Sequence, residues 1–321
     1  MRSWHILNAE PENYSGEAVE ILKSVGTVDL SQKTRANLTA ALQDVDVLIV
    51  RLAFQLTEDV FKAAPNLRAI VTATTGLDHI DLEAAERHGI NVLSLRGEVD
   101  FLQSIPATAE LTWGLLLTLT RNIPAAFSSV LNGEWERDRF KGHDLAGKRL
   151  GILGLGRIGR IVARYGLAFG MKASAFDPTA QNWVDGVERM ESLTGLLQVA
   201  DVLSIHVPLN PDTVGLIGGR ELDLLPAGAL LINTSRGDIV NEPALISALQ
   251  KGQLAGAAVD VVSMERSDLL EKSALLQYAR AHKNLIITPH IGGASYESMA
   301  ATEIFMARKL VNYLATLEQV E

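Results

Sequence analysis

The sequence contains no cysteine among its 321 residues, and its basic residues are outnumbered by acidic ones, 29 to 38. The lack of cysteine excludes disulfide bonds, thiolate metal sites and cysteine nucleophiles. The net charge of −9 provides no general attraction for nucleic acid or for anionic lipid. The most apolar run, at 111–120, is far shorter than the ~20 residues that span a bilayer. The first residues lack the apolar core of a secretion signal, so we expect a cytoplasmic protein.

Short apolar runs alternate with helical patterns along the whole chain, which is typical of βαβ units and a parallel sheet. The first hundred residues predict strands at 4–7, 45–50, 67–73 and 90–93, separated by helices at roughly 16–24, 34–43, 58–64 and 82–88. A long helix at about 107–121 precedes a second series of six strands, at 149–153, 172–176, 202–207, 229–233, 257–261 and 285–288. A chain of this length exceeds what one core usually supports, so two domains are expected. The helix predicted at 296–316 is expected to pack on the first domain.

A glycine-rich segment, Gly154-Leu155-Gly156-Arg157-Ile158-Gly159, follows a predicted strand and opens a predicted helix. In this context glycine allows a tight turn, close approach to a pyrophosphate and helix–strand packing, and the helix N-terminus offers N–H groups to the phosphates. Asp177 ends the next strand, where an acid can accept hydrogen bonds from a ribose and repel a 2′-phosphate. The segment therefore predicts dinucleotide binding, with NAD preferred over NADP.

Three polar segments, at 233–237, 260–265 and 288–293, follow predicted strands at the edge where open α/β sheets bind ligands. Together with segments at 74–81, 108–110 and 206–208, their order and spacing resemble the D-isomer specific 2-hydroxyacid dehydrogenase family over essentially the whole chain. The resemblance implies an α/β protein of two doubly wound parallel-sheet domains. A Rossmann NAD-binding domain at 106–295 would be inserted into a flavodoxin-like substrate domain formed by 1–105 plus 296–321.

The resemblance also implies a reaction, hydride transfer between NAD(H) and a D-2-hydroxy acid or its 2-oxo acid. Arg236 would hold the substrate carboxylate through its planar guanidinium. His290 would act as the acid or base, because histidine exchanges protons near neutral pH, and Glu265 would orient it and stabilise its imidazolium. Arg266 follows Glu265 where the family usually has proline, which puts the position of that glutamate in doubt. No histidine spacing resembles a zinc site, so no metal is expected.

The other predicted site residues bind the cofactor or the substrate. The predicted cofactor-binding residues are Gly154, Gly156, Arg157, Ile158, Gly159, Asp177, His206, Pro208, Thr213, Thr234, Ser235, Asp260, Gly292 and Gly293. The predicted substrate-binding residues are Arg51, Thr75 and Gly76. The last two would use their backbone N–H groups, whereas Arg51 would suit a second anionic group; a solvated charge at a strand end is the alternative for Arg51.

The resemblance leaves more than one function open. Among enzymes, a phosphoglycerate dehydrogenase and a glyoxylate or hydroxypyruvate reductase are both consistent with the sequence. From another class, an NAD-sensing interaction protein similar to a corepressor would bind the cofactor with little turnover. The family also implies a homodimer through the NAD-binding domain, where Trp135 would reach the neighbouring active site or pack in the interface. The expected partner is a small 2-hydroxy or 2-oxo acid, with no nucleic acid and no membrane.

Overall fold

Residues 3–263, 265 and 270–319 are described by a computed structural model, in which the chain forms two units. Unit 1 comprises the described residues of Met1–Ile105 and Ala294–Glu321, and unit 2 comprises those of Pro106–Gly293. Unit 2 is therefore inserted into unit 1 along the chain. No helix in the described ranges is both long and apolar enough to cross a membrane.

Unit 1 contains a five-stranded parallel sheet. Its strands are β1 (Trp4–Asn8), β2 (Gly26–Asp29), β3 (Val47–Val50), β4 (Ala69–Thr72) and β5 (Asn91–Leu93). Its first helices are α1 (Gly16–Lys23), α2 (Leu38–Ala41), α3 (Glu58–Lys62), α4 (Leu82–Arg87) and α5 (Val99–Leu102). The spatial strand order, β2-β1-β3-β4-β5, is that of flavodoxin-like sheets.

Unit 2 contains a seven-stranded sheet in which every pair of neighbouring strands is parallel. Its strands are β6 (Arg149–Leu153), β7 (Lys172–Phe176), β8 (Glu188–Arg189), β9 (Val202–Ile205), β10 (Ala229–Asn233), β11 (Leu254–Val259) and β12 (Leu285–Ile287). Its helices are α6 (Ala107–Thr120), α7 (Ile123–Leu131), α8 (Arg157–Ala168), α9 (Leu193–Val199), α10 (Gly219–Leu224), α11 (Glu242–Gln250) and α12 (Ala274–Ala281). The order β12-β11-β10-β9-β6-β7-β8 is the doubly wound order of a Rossmann sheet with one further strand. A last helix, α13 (Tyr296–Leu317), returns to unit 1 and packs against α1.

The central strand β3 of unit 1 is apolar throughout because both faces of its sheet are covered. In β3, Leu48 and Val50 enter one hydrophobic cluster with Phe61, whereas Val47 and Ile49 enter another that includes Leu310 of α13. Successive side chains of a strand point to opposite faces, so this alternation means that two cores flank the sheet.

The register of the unit 2 sheet aligns its strand ends. Leu153 pairs with Ile205, Ile205 with Asn233, Asn233 with Val259, and Val259 with Ile287. Because all these strands are parallel, the residues that follow them emerge along one edge of the sheet. This is the edge where open α/β sheets bind ligands.

The structure differs from the sequence-based prediction mainly in two missed strands, two missed helices (α5 and α7) and one shortened helix. The six-strand prediction for unit 2 missed β8, and the prediction for the first hundred residues missed β2. Both are edge strands without a buried apolar run, since β8 is exposed and β2 only half-buried. The helix predicted at 34–43 is helical only over Leu38–Ala41, because the side chain of Asn37 accepts a hydrogen bond from the Thr34 N–H and closes a turn instead.

Candidate active site

The glycine-rich segment lies between β6 and α8, and its three glycines are constrained differently. Gly154 has a φ of +91°, in the region that favours glycine, and a Cβ there would lie 2.7 Å from the carbonyl oxygen of His206. A Cβ on Gly159 would collide with the Gly154 carbonyl oxygen, whereas one on Gly156 would meet nothing within 4 Å. The backbone is therefore closely packed at the first and last glycine and open at the middle one, as a pyrophosphate requires.

Helix α8 begins directly after Gly156, and no side chain in the described ranges caps its N-terminus. In the same unit Ser192 caps α9 and Asn241 caps α11. The first-turn N–H groups of α8, where Arg157 and Ile158 lie, have no acceptor within the helix, and the helix dipole adds partial positive charge there. The start of α8 therefore has the properties of an anion-binding site.

Asp177 follows β7, and its carboxylate links the next turn to the glycine segment. Oδ2 accepts a hydrogen bond from the Leu155 N–H at 2.8 Å. Oδ1 accepts from the N–H and the hydroxyl of Thr179 at 2.8 and 2.9 Å, and from the Ala180 N–H at 3.0 Å. Burial raises the pKa of this carboxyl, but the hydrogen bonds outweigh burial and bring the pKa below its ordinary value. Asp177 is thus a fixed, ionised carboxylate beside the glycine segment.

His206 and the residues after it form the loop that follows β9. The Nε2 atom of His206 lies 2.7 Å from the Ser204 hydroxyl, and desolvation by the surrounding protein lowers the pKa of this histidine to about 3. His206 is therefore neutral at physiological pH. Further along the loop, the Thr213 hydroxyl donates to the carbonyl oxygen of Pro208 at 2.7 Å.

The loop after β10 carries three predicted site residues in a row. The Thr234 hydroxyl lies 2.9 Å from that of Thr112, and the Ser235 hydroxyl donates to the Ile205 carbonyl oxygen at 2.8 Å. Next in sequence, the half-buried Arg236 donates from Nη1 to the Ser235 carbonyl oxygen at 2.7 Å. The Ser235 bond holds the arginine loop against the neighbouring strand β9, and the Thr234 contact joins the loop to α6.

His290 and Glu265 are in contact. The Nδ1 atom of His290 lies 3.0 Å from one carboxylate oxygen of Glu265 and 3.1 Å from the other. Both side chains are about four-fifths buried. The contact occupies Nδ1, so Nε2 is the ring atom that can pass a proton to a substrate. Gly293, three residues on, is the last residue of unit 2.

Asp260 holds the segment that contains His290. Its carbonyl oxygen accepts from the His290 N–H at 2.8 Å. Its carboxylate accepts from the Thr288 hydroxyl at 2.6 Å, from the Ile291 N–H at 2.9 Å and from the Gly292 N–H at 2.7 Å. His290 itself has a φ of +55°, a left-handed conformation that is uncommon outside glycine. Four hydrogen bonds to one residue thus keep the histidine in this conformation, while burial raises the pKa of the Asp260 carboxyl.

In unit 1 the predicted substrate-binding residues follow β3 and β4. Within the described ranges, the backbone N–H groups of Thr75 and Gly76 donate no hydrogen bond, so they can bind an anion. The guanidinium of Arg51 is engaged, because Nη2 lies 2.6 Å from a carboxylate oxygen of Glu303 and Nη1 donates to the Glu12 carbonyl oxygen at 2.9 Å.

Sequence analysis placed Thr288 in the polar segment 288–293 without a role of its own and did not identify Glu303; these two residues fix Asp260 and Arg51. Thr288 directly follows a strand, and this position is a signal that could have identified it. Glu303 lies 252 residues from Arg51, and no local pattern indicates their pairing. Arg266, where the chain departs from the family pattern, lies outside the described residues. Among the residues that are described, no group of three or more histidines and carboxylates could hold a metal ion.

The chain is similar in sequence to proteins of one family. The sequence profile of the D-isomer specific 2-hydroxyacid dehydrogenase, NAD binding domain, matches residues 113–292. The chain is 38% identical over 302 residues to D-3-phosphoglycerate dehydrogenase of Methanocaldococcus jannaschii, covering 93% of this chain and 55% of that protein. It is 34% identical to hydroxypyruvate reductase of Thermotoga maritima, covering 93% of this chain and 95% of that protein. The chain thus spans about half the length of the phosphoglycerate dehydrogenases that it matches.

A solved structure is similar over both units. The crystal structure of D-lactate dehydrogenase from Aquifex aeolicus, complexed with NAD and lactic acid, matches with a TM-score of 0.83 and 28% sequence identity. The match covers 98% of this chain and 97% of that one.

Proposed function

Because the chain belongs to the D-isomer specific 2-hydroxyacid dehydrogenase family, we propose that it transfers a hydride between NAD(H) and a D-2-hydroxy acid or its 2-oxo acid. The observation that carries this proposal is the 3.0 Å contact between His290 and Glu265. It lies at the sheet edge that also carries the glycine segment and the Arg236 loop. An oriented proton donor and a carboxylate-binding cation are what reduction of a carbonyl next to a carboxylate needs.

The residues present fit NAD. The open space at Gly156 and the uncapped start of α8 suit a pyrophosphate. The ionised Asp177 suits the ribose hydroxyls of NAD and would repel the 2′-phosphate of NADP. The rest of the cofactor would be lined by Asp260, His206, Pro208, Thr213, Thr234, Ser235, Gly292 and Gly293. The hydrogen bonds from Thr213 to Pro208 and from Gly292 to Asp260 support a preformed surface.

In the reductive direction, NADH supplies the hydride that adds to the carbonyl carbon. Arg236 would hold the substrate carboxylate through two parallel N–H bonds and polarise the adjacent carbonyl. His290 would give the proton on Nε2 to the carbonyl oxygen, while Glu265 holds the ring and stabilises its positive charge. In the oxidative direction the same Nε2 would take the hydroxyl proton.

The proposal is tested by following NADH oxidation with a panel of 2-oxo acids, comprising glyoxylate, hydroxypyruvate, pyruvate, a bulky apolar acid and 3-phosphohydroxypyruvate. We expect turnover of at least one member, and the preferred member separates a phosphoglycerate dehydrogenase from a glyoxylate or hydroxypyruvate reductase. Tight NADH binding without turnover across the panel would contradict the proposal and favour an NAD-sensing interaction protein.

Arg236→Ala provides a sharper test on the preferred substrate. We expect kcat/KM to fall at least about 10³-fold, because a charge-assisted bidentate contact to the carboxylate is lost, whereas NADH binding measured by fluorescence stays intact. Arg220→Ala, on the exposed face of α10, removes the same charge from the same unit and serves as the matched control. Near wild-type turnover of Arg236→Ala would exclude the proposed role.

We also propose a homodimer formed through unit 2. Phe127 and Leu131, one turn apart on α7, and Trp135 beyond it are 64%, 70% and 86% exposed. A row of large exposed apolar side chains marks an interaction surface. Sedimentation should give twice the chain mass for the wild type and a shift toward the monomer for Leu131→Glu; a wild-type monomer would contradict the proposal. The expected cytoplasmic location stays a prediction.

A further inference from the structure

The charge of Arg51, the residue expected to take a second anionic group, is already compensated within unit 1. Its partner Glu303 is only 2% exposed, and the second oxygen of that carboxylate accepts the Ser15 N–H at 2.7 Å. Withdrawing the guanidinium to bind a ligand would leave a buried carboxylate without its counter-charge, which is strongly unfavourable. Arg51 therefore serves to fix α13 to the end of β3.

Arg96 lies at the same edge of the unit 1 sheet, after β5. Its side chain is exposed, and Nε donates to the Thr75 carbonyl oxygen at 3.4 Å. Across the part of the chain that the structure describes, Arg96 forms no ion pair with a carboxylate. A guanidinium has five N–H donors, so four remain for an anion after this contact.

The backbone around Arg96 is held in place. The Arg96 N–H donates to the Ser94 hydroxyl at 3.2 Å, and the Leu95 N–H donates to the Thr74 carbonyl oxygen at 3.0 Å. Lys309, on α13, donates to the Ser94 carbonyl oxygen at 2.9 Å. Arg96 is thus tied to the loop that contains Thr75, and little conformational freedom of the backbone is lost when it binds a ligand.

We propose that Arg96 is a specificity-determining residue that binds a second anionic group, a carboxylate or a phosphate, on the 2-oxo acid substrate. The inference rests on the proposed function and on the substrate-binding roles expected of Thr75 and Gly76. The N–H groups of these two residues, which donate no hydrogen bond to any part of the chain that the structure describes, would bind the first carboxylate, while the Thr75 carbonyl holds the guanidinium that binds the second anion. A planar guanidinium matches both carboxylate and phosphate oxygens.

Two substrate pairs that differ in one anionic group test this inference. They are 3-phosphohydroxypyruvate with hydroxypyruvate, and oxaloacetate with pyruvate. The wild type should favour the doubly anionic member of at least one pair. A preference within the first pair would indicate that the second anionic group is a phosphate, and a preference within the second pair that it is a carboxylate. Arg96→Ala should lower kcat/KM for that member about tenfold or more, chiefly through KM, and for its partner by no more than about twofold. Arg96→Lys should recover part of the loss.

Arg68→Ala is the matched control, since Arg68 is exposed in the same unit but precedes β4 and so lies at the opposite edge of the sheet. An Arg51→Ala/Glu303→Ala double variant, which removes the buried pair together, should retain the preference for the doubly anionic substrate. Equal losses on both members in Arg96→Ala, a wild type that favours the singly charged members, or loss of the preference in the double variant would each overturn the inference. Turnover of glyoxylate or of the bulky apolar acid with silence on these four substrates would overturn the inference alone, whereas silence on every acid tested would contradict the proposed function.

Discussion

The Nδ1 atom of His290 faces both carboxylate oxygens of Glu265, at 3.0 and 3.1 Å, although the two residues belong to different loops. The loops meet because their strands, β11 and β12, are parallel neighbours in register. A carboxylate that faces the ring nitrogen in this way fixes both the orientation of the imidazole and the ring atom that remains for chemistry.

Glu265→Gln should therefore lower kcat for 2-oxo acid reduction about 10²-fold, because the negative charge that stabilises the imidazolium is lost while the shape is kept. The KM for NADH should stay within about twofold, since the contact involves no part of the predicted cofactor site. Steady-state kinetics provides the measurement, with Glu188→Gln on the exposed edge strand β8 as the control. Unchanged kcat would show that Glu265 takes no part in proton transfer.

Thr288→Val tests whether the hydrogen bond from Thr288 to Asp260, which lies away from the reacting atoms, helps to position His290. The change is isosteric and removes the 2.6 Å hydrogen bond to Asp260, which leaves a buried carboxylate short of a donor. We expect a loss of about 1–3 kcal/mol in the free energy of unfolding and a several-fold fall in kcat. Thr120→Val removes a hydroxyl that bonds the Leu116 carbonyl in the same unit and should leave kcat unchanged. Equal kcat losses in both variants would point to general destabilisation.

Asp177→Asn should raise the ratio of kcat/KM for NADPH over NADH at least about tenfold, because the amide no longer repels a 2′-phosphate. Asparagine can keep an acceptor oxygen for the Leu155 N–H, whereas alanine would also release the turn that Asp177 organises. Kinetics with both cofactors at one ionic strength provides the measurement. If the ratio does not move, Asp177 plays no part in cofactor selection.

His206 predicts a pH dependence of stability. Its native pKa of about 3 lies below the ordinary value of 6.5, so the unfolded chain takes up the proton first as the pH falls. Stability from this residue is full above about pH 6.5, and is lost as the pH falls toward the native pKa. At pH 5 the loss should reach up to about 2 kcal/mol.

Urea unfolding at pH 7 and pH 5 measures how much of the free energy of unfolding is lost through protonation of His206. His206→Gln should show a drop in unfolding free energy between these pH values that is smaller than that of the wild type by up to about 2 kcal/mol. His143→Gln, at an exposed position of the same unit, should behave as the wild type. A drop as large in His206→Gln as in the wild type would mean that this histidine titrates alike in the folded and unfolded chain.

The centres of both sheets could be predicted from the sequence, and their edges could not. Strands β6, β7 and β10 were predicted to the residue, because the central positions of strands covered on both faces are occupied by apolar or small residues. Strands β2 and β8 pair on one side only and carry polar or exposed residues, so nothing in their composition distinguishes them from loops.

The site residues were found through motifs at strand ends, but the contacts that fix them were not. The left-handed backbone of His290 and the pairing of Arg51 with Glu303 depend on residues far apart in sequence. Local propensity contains no information on such pairs, because their geometry arises only when the strands and α13 are assembled. The proposed role of Arg96 depends in the same way on tertiary structure, because the sequence does not show that Arg51 is paired with a carboxylate.

The insertion of unit 2 into unit 1 has a consequence for synthesis on the ribosome. The residues of unit 2 are contiguous, so this unit can complete its core as soon as they have emerged. Unit 1 must wait, because Met306 and Leu310 in its core and the carboxylate of Glu303 all come from α13. Domains usually fold in the order in which they are translated. Here the unit whose chain emerges first is the last to complete its core, and one apolar face of its sheet lacks the cover of α13 until the end of the chain is made.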